Sequence, residues 1–451
     1  MSEIMNLTKS KTHNPNYLAS VVSISEFHPH PNADRLKMAS VFGNNVITGI
    51  DAPPGIYVYF PLECAISEEF LSFTNSFRDK EKNKDKEKVG MFEAHSRVRA
   101  INLRGSKSEG YIVPISQLES FAANLGGKIK VEEGDFDEIG GHLICKKYIP
   151  KGQKQQNSAG KKTKGKIKKW ESKLIENQFR FHPDTEQLKK NIRKVNPNDY
   201  IAITNKLHGC NFLVANVLCK RKLSLWEKFA RFFGAKIQES HYDLLYSSRS
   251  VLKNVEMDDG KKSDGGYYKE DIWGIVAKKI YPSLAEGITV TGEIVGYTPS
   301  GGYIQKDFDY SCAPGQLDFY IFNVTYTSPS GHVYTFSHKQ MVSFCEKFGL
   351  KTPPVYFYGQ AKDLFNIAES EHWHENFLAA MIEKYLEKDC DMCNNKVPAE
   401  GIVLRIDAPF DFNCFKLKSF AFLTKESRDL DAGTIDMETQ EAENNEPLQA
   451  L

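Results

Sequence analysis

A lysine placed where a strand gives way to a turn is the first group in this sequence equipped for covalent chemistry. In Ile203-Thr-Asn-Lys206-Leu-His208-Gly209-Cys-Asn211-Phe212 an apolar, alternating run ends at the lysine. Gly209 then lets the backbone turn sharply and approach a ligand closely. A lysine so placed stands at the mouth of a sheet rather than on a solvated helix face. Taken alone, the same pattern also describes an ordinary surface lysine before a turn.

Three further segments add to it. Thr291-Gly292-Glu293-Ile294-Val295-Gly296 sets one carboxylate inside an apolar strand, and Glu400-Gly401-Ile402-Val403-Leu404-Arg405 sets another at a strand's start. Phe415-Lys416-Leu417-Lys418-Ser419 spaces two lysines by two residues, so both leave the same face of a strand. Buried charges of this kind are costly unless paired or coordinating something. Singly, each motif also fits a structural ion pair. Two carboxylates, three lysines and an arginine converging from separate strands suit a nucleotide and a divalent cation better.

The elements that must position these groups follow from periodicity. Tyr17–Ile24, Leu36–Phe42, Asn45–Ile50, Ile56–Phe60, Arg97–Leu103 and Gly110–Pro114 read as short strands rich in Val, Ile and Tyr, separated by turn residues. Residues 1–145 are therefore expected to form a small, OB-like β-barrel. From about Leu174 the texture is mixed α+β, with strands at Tyr200–Asn205, Phe212–Val217, Thr289–Gly296, Asp318–Tyr326, Gly401–Ile406 and Phe415–Lys418. Helical spacing appears around Leu223–Phe233, Lys339–Phe348 and Phe377–Leu386. The predicted fold class is thus α+β, with a barrel at 1–145, a linker at 146–173, a catalytic domain at 174–440 and a flexible tail at 441–451.

Charge sharpens that division. The 451 residues carry 59 Lys+Arg against 58 Asp+Glu, a net +1, yet the balance conceals segregation. Lys146–Lys173 holds eleven Lys and one Glu, whereas Glu426–Glu446 holds eight acids and one Arg. The basic segment is a solvated linker or a contact to phosphates. With 41% hydrophobic residues, a globally disordered chain is excluded. The start, MSEIMNLTKSKTHNPN, lacks a signal-peptide core, no run approaches a membrane span, and nine scattered Cys show no disulfide rhythm. A reduced, cytoplasmic compartment without a membrane partner is the expectation. Cys390-x-x-Cys393 has no second pair and reads as ordinary thiols rather than a metal site.

K206-L-H-G, G-E293-I-V-G, the strand ending F-Y-I-F322-N, E400-G-I-V-L-R and K416-L-K418 occur in the order of motifs I, III, IIIa, IV and V of the covalent nucleotidyltransferases. That superfamily holds ATP-dependent DNA ligases, RNA ligases and mRNA capping enzymes. The K-x-H-G form with Asn211 resembles the phage-type nick-joining RNA ligases, over roughly Phe179 to Asp436, with an apparent insertion near Cys219–His241. His28-Pro-His-Pro-Asn-Ala-Asp-Arg35-Leu36 and Val46-Ile-Thr-Gly49 are similar to OB-type tRNA-binding domains. An OB domain ahead of a ligase domain resembles the Naegleria and Deinococcus-type RNA ligase group.

The resemblance implies a three-step ATP-dependent reaction. Lys206 takes AMP from ATP, AMP passes to an RNA 5′-phosphate, and a 3′-hydroxyl displaces it to leave a phosphodiester. Lysine attacks only when neutral, and Lys416, Lys418 and a metal would disfavour its charged form. The same two lysines would steady the α-phosphate. Glu400 is expected to hold Mg²⁺ or Mn²⁺ directly or through water, and Glu293 the ribose. Arg249, in Tyr246-Ser-Ser-Arg249, would meet the ribose or the RNA 5′-phosphate. Phe322 would stack on adenine, although Asn323 follows it where the family has Asp. His208 and Asn211 would position phosphate or metal-bound water. Arg97, Arg99, Arg104 and Lys107 are expected to offer the barrel an RNA-facing surface. A nicked RNA duplex and a monomer are the default partner and state. A DNA ligase or capping enzyme would carry a further OB domain after motif V, for which the roughly thirty residues after Lys418, an acidic stretch, are expected to leave no room. A non-catalytic RNA-binding scaffold, or transfer of AMP to something other than RNA, remain the other readings.

Overall fold

The computed structural model describes residues 3–150, 173–253, 268, 270–408 and 410–433. The inner part of the basic segment and the tail at 441–451 therefore lie outside the described residues. No described helix is long and apolar enough to cross a membrane. All nine cysteines are free thiols.

The N-terminal unit is built on a four-stranded antiparallel sheet ordered Tyr111–Pro114, Gly55–Phe60, Ala19–Ile24, Gly134–Phe136. One face buries Val21, Val58, Phe60 and Val113 against the helices Glu68–Phe73 and Ile115–Asn124 through Phe70, Leu71, Leu118 and Phe121. The other buries Tyr57, Tyr59 and Ile112 against the hairpin Leu36–Val41/Asn44–Gly49. Five of the six expected strands stand where the periodicity puts them, whereas of Arg97–Leu103 only Ile101–Leu103 is a strand, and the expected barrel is not closed. The strands form separate sheets, and no closed barrel runs through the described residues. Ile101–Leu103 and Ser106–Ser108 form their own two-stranded sheet, closed by a tight turn in which Arg104 and Gly105 both take positive φ.

The remaining chain folds into two five-stranded sheets with flanking helices, a mixed α+β arrangement. One is ordered Glu186–Gln187, Asn413–Lys418, Gly401–Ile406, Tyr200–Asn205, Val355–Gln360; the other Ser240–Ser247, Cys210–Lys220, Ile288–Gly296, Leu317–Thr327, Val333–Thr335. Residues 206–209 connect them, leaving one sheet after Asn205 and entering the other at Cys210. The second sheet is covered on both faces. Cys210, Phe212 and Val214 pack on the helix Ile272–Ile280, while Ala215, Val217 and Cys219 pack with Leu245 on the opposite side. This two-sided cover explains why the strand Cys210–Lys220 reads as a nearly continuous apolar run rather than an alternating one.

The two halves of the chain are riveted by polar contacts. Lys189 Nζ lies 2.8 Å from Glu109, and Lys190 Nζ lies 2.7 Å from Asp135 and 3.0 Å from Ser20 Oγ. Asn14 Nδ2 donates to Asp184 at 2.9 Å. Each carboxylate so held lies beside a lysine or amide of the other half, so the cleft between them is lined by both.

Candidate active site

The turn carrying Lys206 is fixed by its backbone. Lys206 N donates to Gly401 O at 3.0 Å, and Gly209 N donates to Glu293 Oε1 at 3.2 Å. His208 N donates to Tyr310 Oη at 2.6 Å, and Gln305 Nε2 donates to Gly209 O at 2.7 Å. The His208 ring is gripped edge-on by Phe308 and Phe422, at centroid distances of 4.8 and 4.9 Å. Two glycines are required by contact. A Cβ on Gly209 would fall 2.3 Å from Ile294 O, and one on Gly401, at φ 142°, would fall 2.0 Å from Leu417 O. Gln305, Phe308, Tyr310 and Phe422 were invisible to motif spacing. The first three sit in an irregular stretch with no period to read.

Charge converges on Glu400. It is 5% exposed, and its Oε1 lies 2.8 Å from Lys206 Nζ and 3.3 Å from Lys418 Nζ. Burial alone would raise its pKa. Lys206, Lys418 and His208 overcome that and hold it down at about 2. Lys418 also meets Glu426 at 3.2 Å; burial opposes its charge, but Glu426 and Glu400 together push it above the ordinary lysine range. Lys416 has the opposite fate. Burial first, then Lys418, Arg249 and Lys206, depress its pKa well below the usual value. The two lysines spaced by two residues thus share a face but not an electrostatic role: one is a firm cation, the other a cation awaiting an anion.

Among the described residues none donates a hydrogen bond to Glu400 Oε2, and His208 Nδ1, at 3.8 Å, is a charged neighbour only if protonated. A buried carboxylate oxygen left open in this way fits a divalent cation or its water. Among the described residues no group of three or more His, Cys, Asp and Glu side chains could hold a metal by itself. A cation here would lean on Glu400 together with phosphate oxygens and water.

Two cavities flank the lysine. The larger, about 250 Å³, is lined by Lys206, His208, Arg249, Glu293, Glu400, Lys416 and Lys418, and by Tyr17, Glu63, Glu109 and Lys147 of the N-terminal unit. The smaller, about 140 Å³, is lined by Lys206, Asn211, Arg249, Glu293 and Phe322, with His182, His338 and Arg405. All nine residues expected to surround the nucleotide therefore line one cavity or the other. Asn211 and Glu293 are cross-strand partners, so their side chains leave the same face. Arg249 pairs with Asp184, which links it to Asn14.

His182 was not anticipated. Its ring meets Phe322 and Phe412 edge-on, at 5.3 and 4.5 Å, and its Nε2 is buried without a partner. Burial and the nearby Arg249 and Arg405 lower its pKa from the ordinary 6.5 to about 3. The folded chain therefore binds this proton less tightly than the unfolded chain. Between about pH 3 and 6.5 the unfolded state holds more protons, so stability rises with pH across that window and is lost on acidification. His182→Gln should flatten the acid limb of a thermal-midpoint profile. An unchanged limb would show that another group carries it.

The four residues expected to face RNA do not join this site. The Arg97 side chain is 1% exposed, with Glu63 at 3.1 Å and the Ser427 carbonyl at 3.0 Å, and pairs also with Asp431. Arg99 pairs with Asp431 at 2.9 Å, and Lys107 with Glu387 at 2.8 Å. Of the four, Arg104 alone is classed as exposed. Arg97, Arg99 and Lys107 thus each pair with a carboxylate of the catalytic half, and of these only the Arg97 side chain is buried there, while Lys107 keeps 43% of its exposure.

Residues 199–420 match the family model for RNA ligase. No curated protein matches the chain. Among solved structures, Naegleria gruberi RNA ligase with pyrophosphate is similar at 16% identity and TM-score 0.55, covering 91% of this chain and 99% of that one. A mutant of the same ligase with AMP and Mn shares 17% identity at TM-score 0.54, covering 90% and 98%, and an apo mutant 17% at 0.56, covering 92% and 99%. At this identity the likeness is one of fold, and it extends through both halves of the chain.

Proposed function

We propose that this chain, whose residues 199–420 form a domain of the RNA ligase family, is an ATP-dependent RNA ligase that joins a 3′-hydroxyl to a 5′-phosphate through a lysine–AMP intermediate. The observation that carries this is the position of Lys206. It lies where two sheets meet and lines both cavities, with Glu400 2.8 Å from its amine.

Lys206 gives up its ion pair and releases its proton to solvent, then attacks the α-phosphorus of ATP; an N–P bond forms, the bond from the α-phosphorus to the bridging oxygen breaks, and pyrophosphate leaves. AMP passes from the lysine to the RNA 5′-phosphate, whose oxygen forms the new P–O bond. The 3′-hydroxyl then attacks the activated phosphate, loses its proton and expels AMP. Lys418, held charged by Glu426 and Glu400, and Lys416, whose charged form an arriving anion would favour against burial and its cationic neighbours, steady the charge growing on phosphate oxygens. Glu400 would hold a divalent cation, Mg²⁺ or Mn²⁺, directly or through water, and that cation would supply polarisation of the phosphates. Glu293 takes the ribose, Phe322 a face of the adenine, and Arg249 the ribose or 5′-phosphate; His208 and Asn211 position phosphate. Mn, AMP and ATP accompany the similar Naegleria gruberi structures, which supports this choice of cofactors.

Residues 1–145 act as an OB-like substrate-handling unit, 146–173 as a basic linker, 174–440 as the ligase domain and 441–451 as an acidic tail. The protein works as a cytoplasmic monomer on a nicked RNA duplex. Sealing assays with ATP on nicks carrying RNA or DNA at the 3′-hydroxyl side test this. RNA nicks should close at least about tenfold faster, since a 2′-hydroxyl is the handle that tells RNA from DNA. Equal closure of an all-DNA nick would defeat the assignment to RNA.

A further inference from the structure

The segment between the strands Cys210–Lys220 and Ser240–Ser247 carries a helix, Leu225–Phe232, that has no buried residue. It is nonetheless well made. Ser224 and Glu227 form a reciprocal capping box, and Arg221–Glu227 and Arg231–Glu239 pairs brace its polar side. Leu225, Trp226, Phe229, Phe232 and the adjoining Phe233 recur at helical spacing, on one stripe of about 120°. Leu225, Trp226 and Phe232 are 83, 82 and 84% exposed, and Phe229 and Phe233 are also exposed. A helix ordinarily owes its stability to the face it buries. Here that face is turned to solvent.

We propose that this helix docks the protein onto an anionic lipid surface, lying in the headgroup layer with its aromatic stripe inward. Charge favours such an occupant. Residues 220–239 hold six Lys and Arg against two Glu, a net +4, with Lys220 and Lys222 just before the helix and Lys228 on it. Aromatic and aliphatic residues on one face with cations beside them are what an interfacial helix needs. A second copy of the chain would bring two such cationic rims together. Single-stranded RNA would be held base by base on single ring faces, whereas here Leu225 and four aromatic side chains form one continuous apolar stripe, the form that an acyl boundary takes. The helix also follows the far end of the strand that starts beside Lys206. The eleven residues from Cys210 to Lys220 carry it roughly 30 Å from the turn. Docking there leaves both cavities free.

The test uses the full chain with sedimenting vesicles of phosphatidylcholine alone, or of phosphatidylcholine mixed with phosphatidylserine. The protein should pellet with the mixed vesicles, less so at high salt, and Trp226→Ser/Phe232→Ser should lower the apparent affinity at least about tenfold. Trp273 and Trp373 are buried and Trp170 belongs to the basic segment, so in a Trp170→Phe background a blue shift of emission on binding should vanish on adding Trp226→Phe while pelleting persists. Failure to pellet with mixed vesicles, or equal pelleting on phosphatidylcholine alone, would overturn the proposal. So would a double variant that loses RNA affinity or self-association instead of vesicle binding.

Discussion

Lys206→Ala should erase the covalent AMP label that the wild-type protein acquires from α-labelled ATP and a divalent metal, down to background. The expectation is absolute because no neighbour can substitute. Lys418 is tied to Glu400 and Glu426, which favour its charged and unreactive form. Lys416 is depressed in pKa and so is the more reactive of the two by charge. It projects, however, from the strand Asn413–Lys418 and lines only the larger cavity, whereas Lys206 lines both cavities and meets Glu400 at 2.8 Å. Label surviving in Lys206→Ala but lost in Lys416→Ala would move the nucleophile to Lys416. A pre-adenylated RNA end bypasses the lysine, so Lys206→Ala should still close such a nick at a reduced rate. Loss of that step as well would mean the variant has lost the cradle and not only the nucleophile.

What was legible in the sequence was whatever a period or a punctuating residue marks. Lys206 is announced by an alternating strand that stops and by a glycine that permits a Cβ-free approach to Ile294. Lys416 and Lys418 could be placed on one face by parity, since side chains two apart in a strand always agree. Their opposite electrostatics could not be read, because these depend on Glu426 and Arg249, which reach them from other elements. Tyr310 and Gln305 hold the turn from a loop whose path no local pattern dictates. The helix Phe420–Asp431 was hidden by composition. Its acids merged with those of the chain's end, while Ser419, whose hydroxyl accepts from Phe422 N, marks its start. Strand positions in the N-terminal unit were legible, but closure of those strands into a barrel depends on pairings that a strand's own sequence does not state.

Arg97→Ala is the second large effect expected, and it separates a structural from a substrate-binding role. Alternating arginines on a short strand look like a surface for phosphates. Yet the partners of Arg97 are Glu63, 34 residues earlier, and Asp431 and the Ser427 carbonyl, more than 300 residues later. Its guanidinium also lies 5.1 Å from the centre of the Tyr148 ring. It therefore pins the N-terminal unit to the helix Phe420–Asp431, the same helix whose Glu426 steadies Lys418. Removing one partner of a buried pair leaves the others uncompensated, at a cost of roughly 3–5 kcal/mol. Because Asp431 keeps 34% of its exposure, the lower end of that range, about 3 kcal/mol, is the better figure here. Denaturant unfolding should show a loss of this size. The dependence of RNA affinity on salt should keep its slope, whereas a lost phosphate contact would reduce it by about one. A reduced slope with unchanged stability would return Arg97 to the RNA surface. Asp431→Asn completes the cycle. It keeps the shape of the contact and removes only the charge, so it should destabilise less than Arg97→Ala, and the double variant should cost less than the two summed.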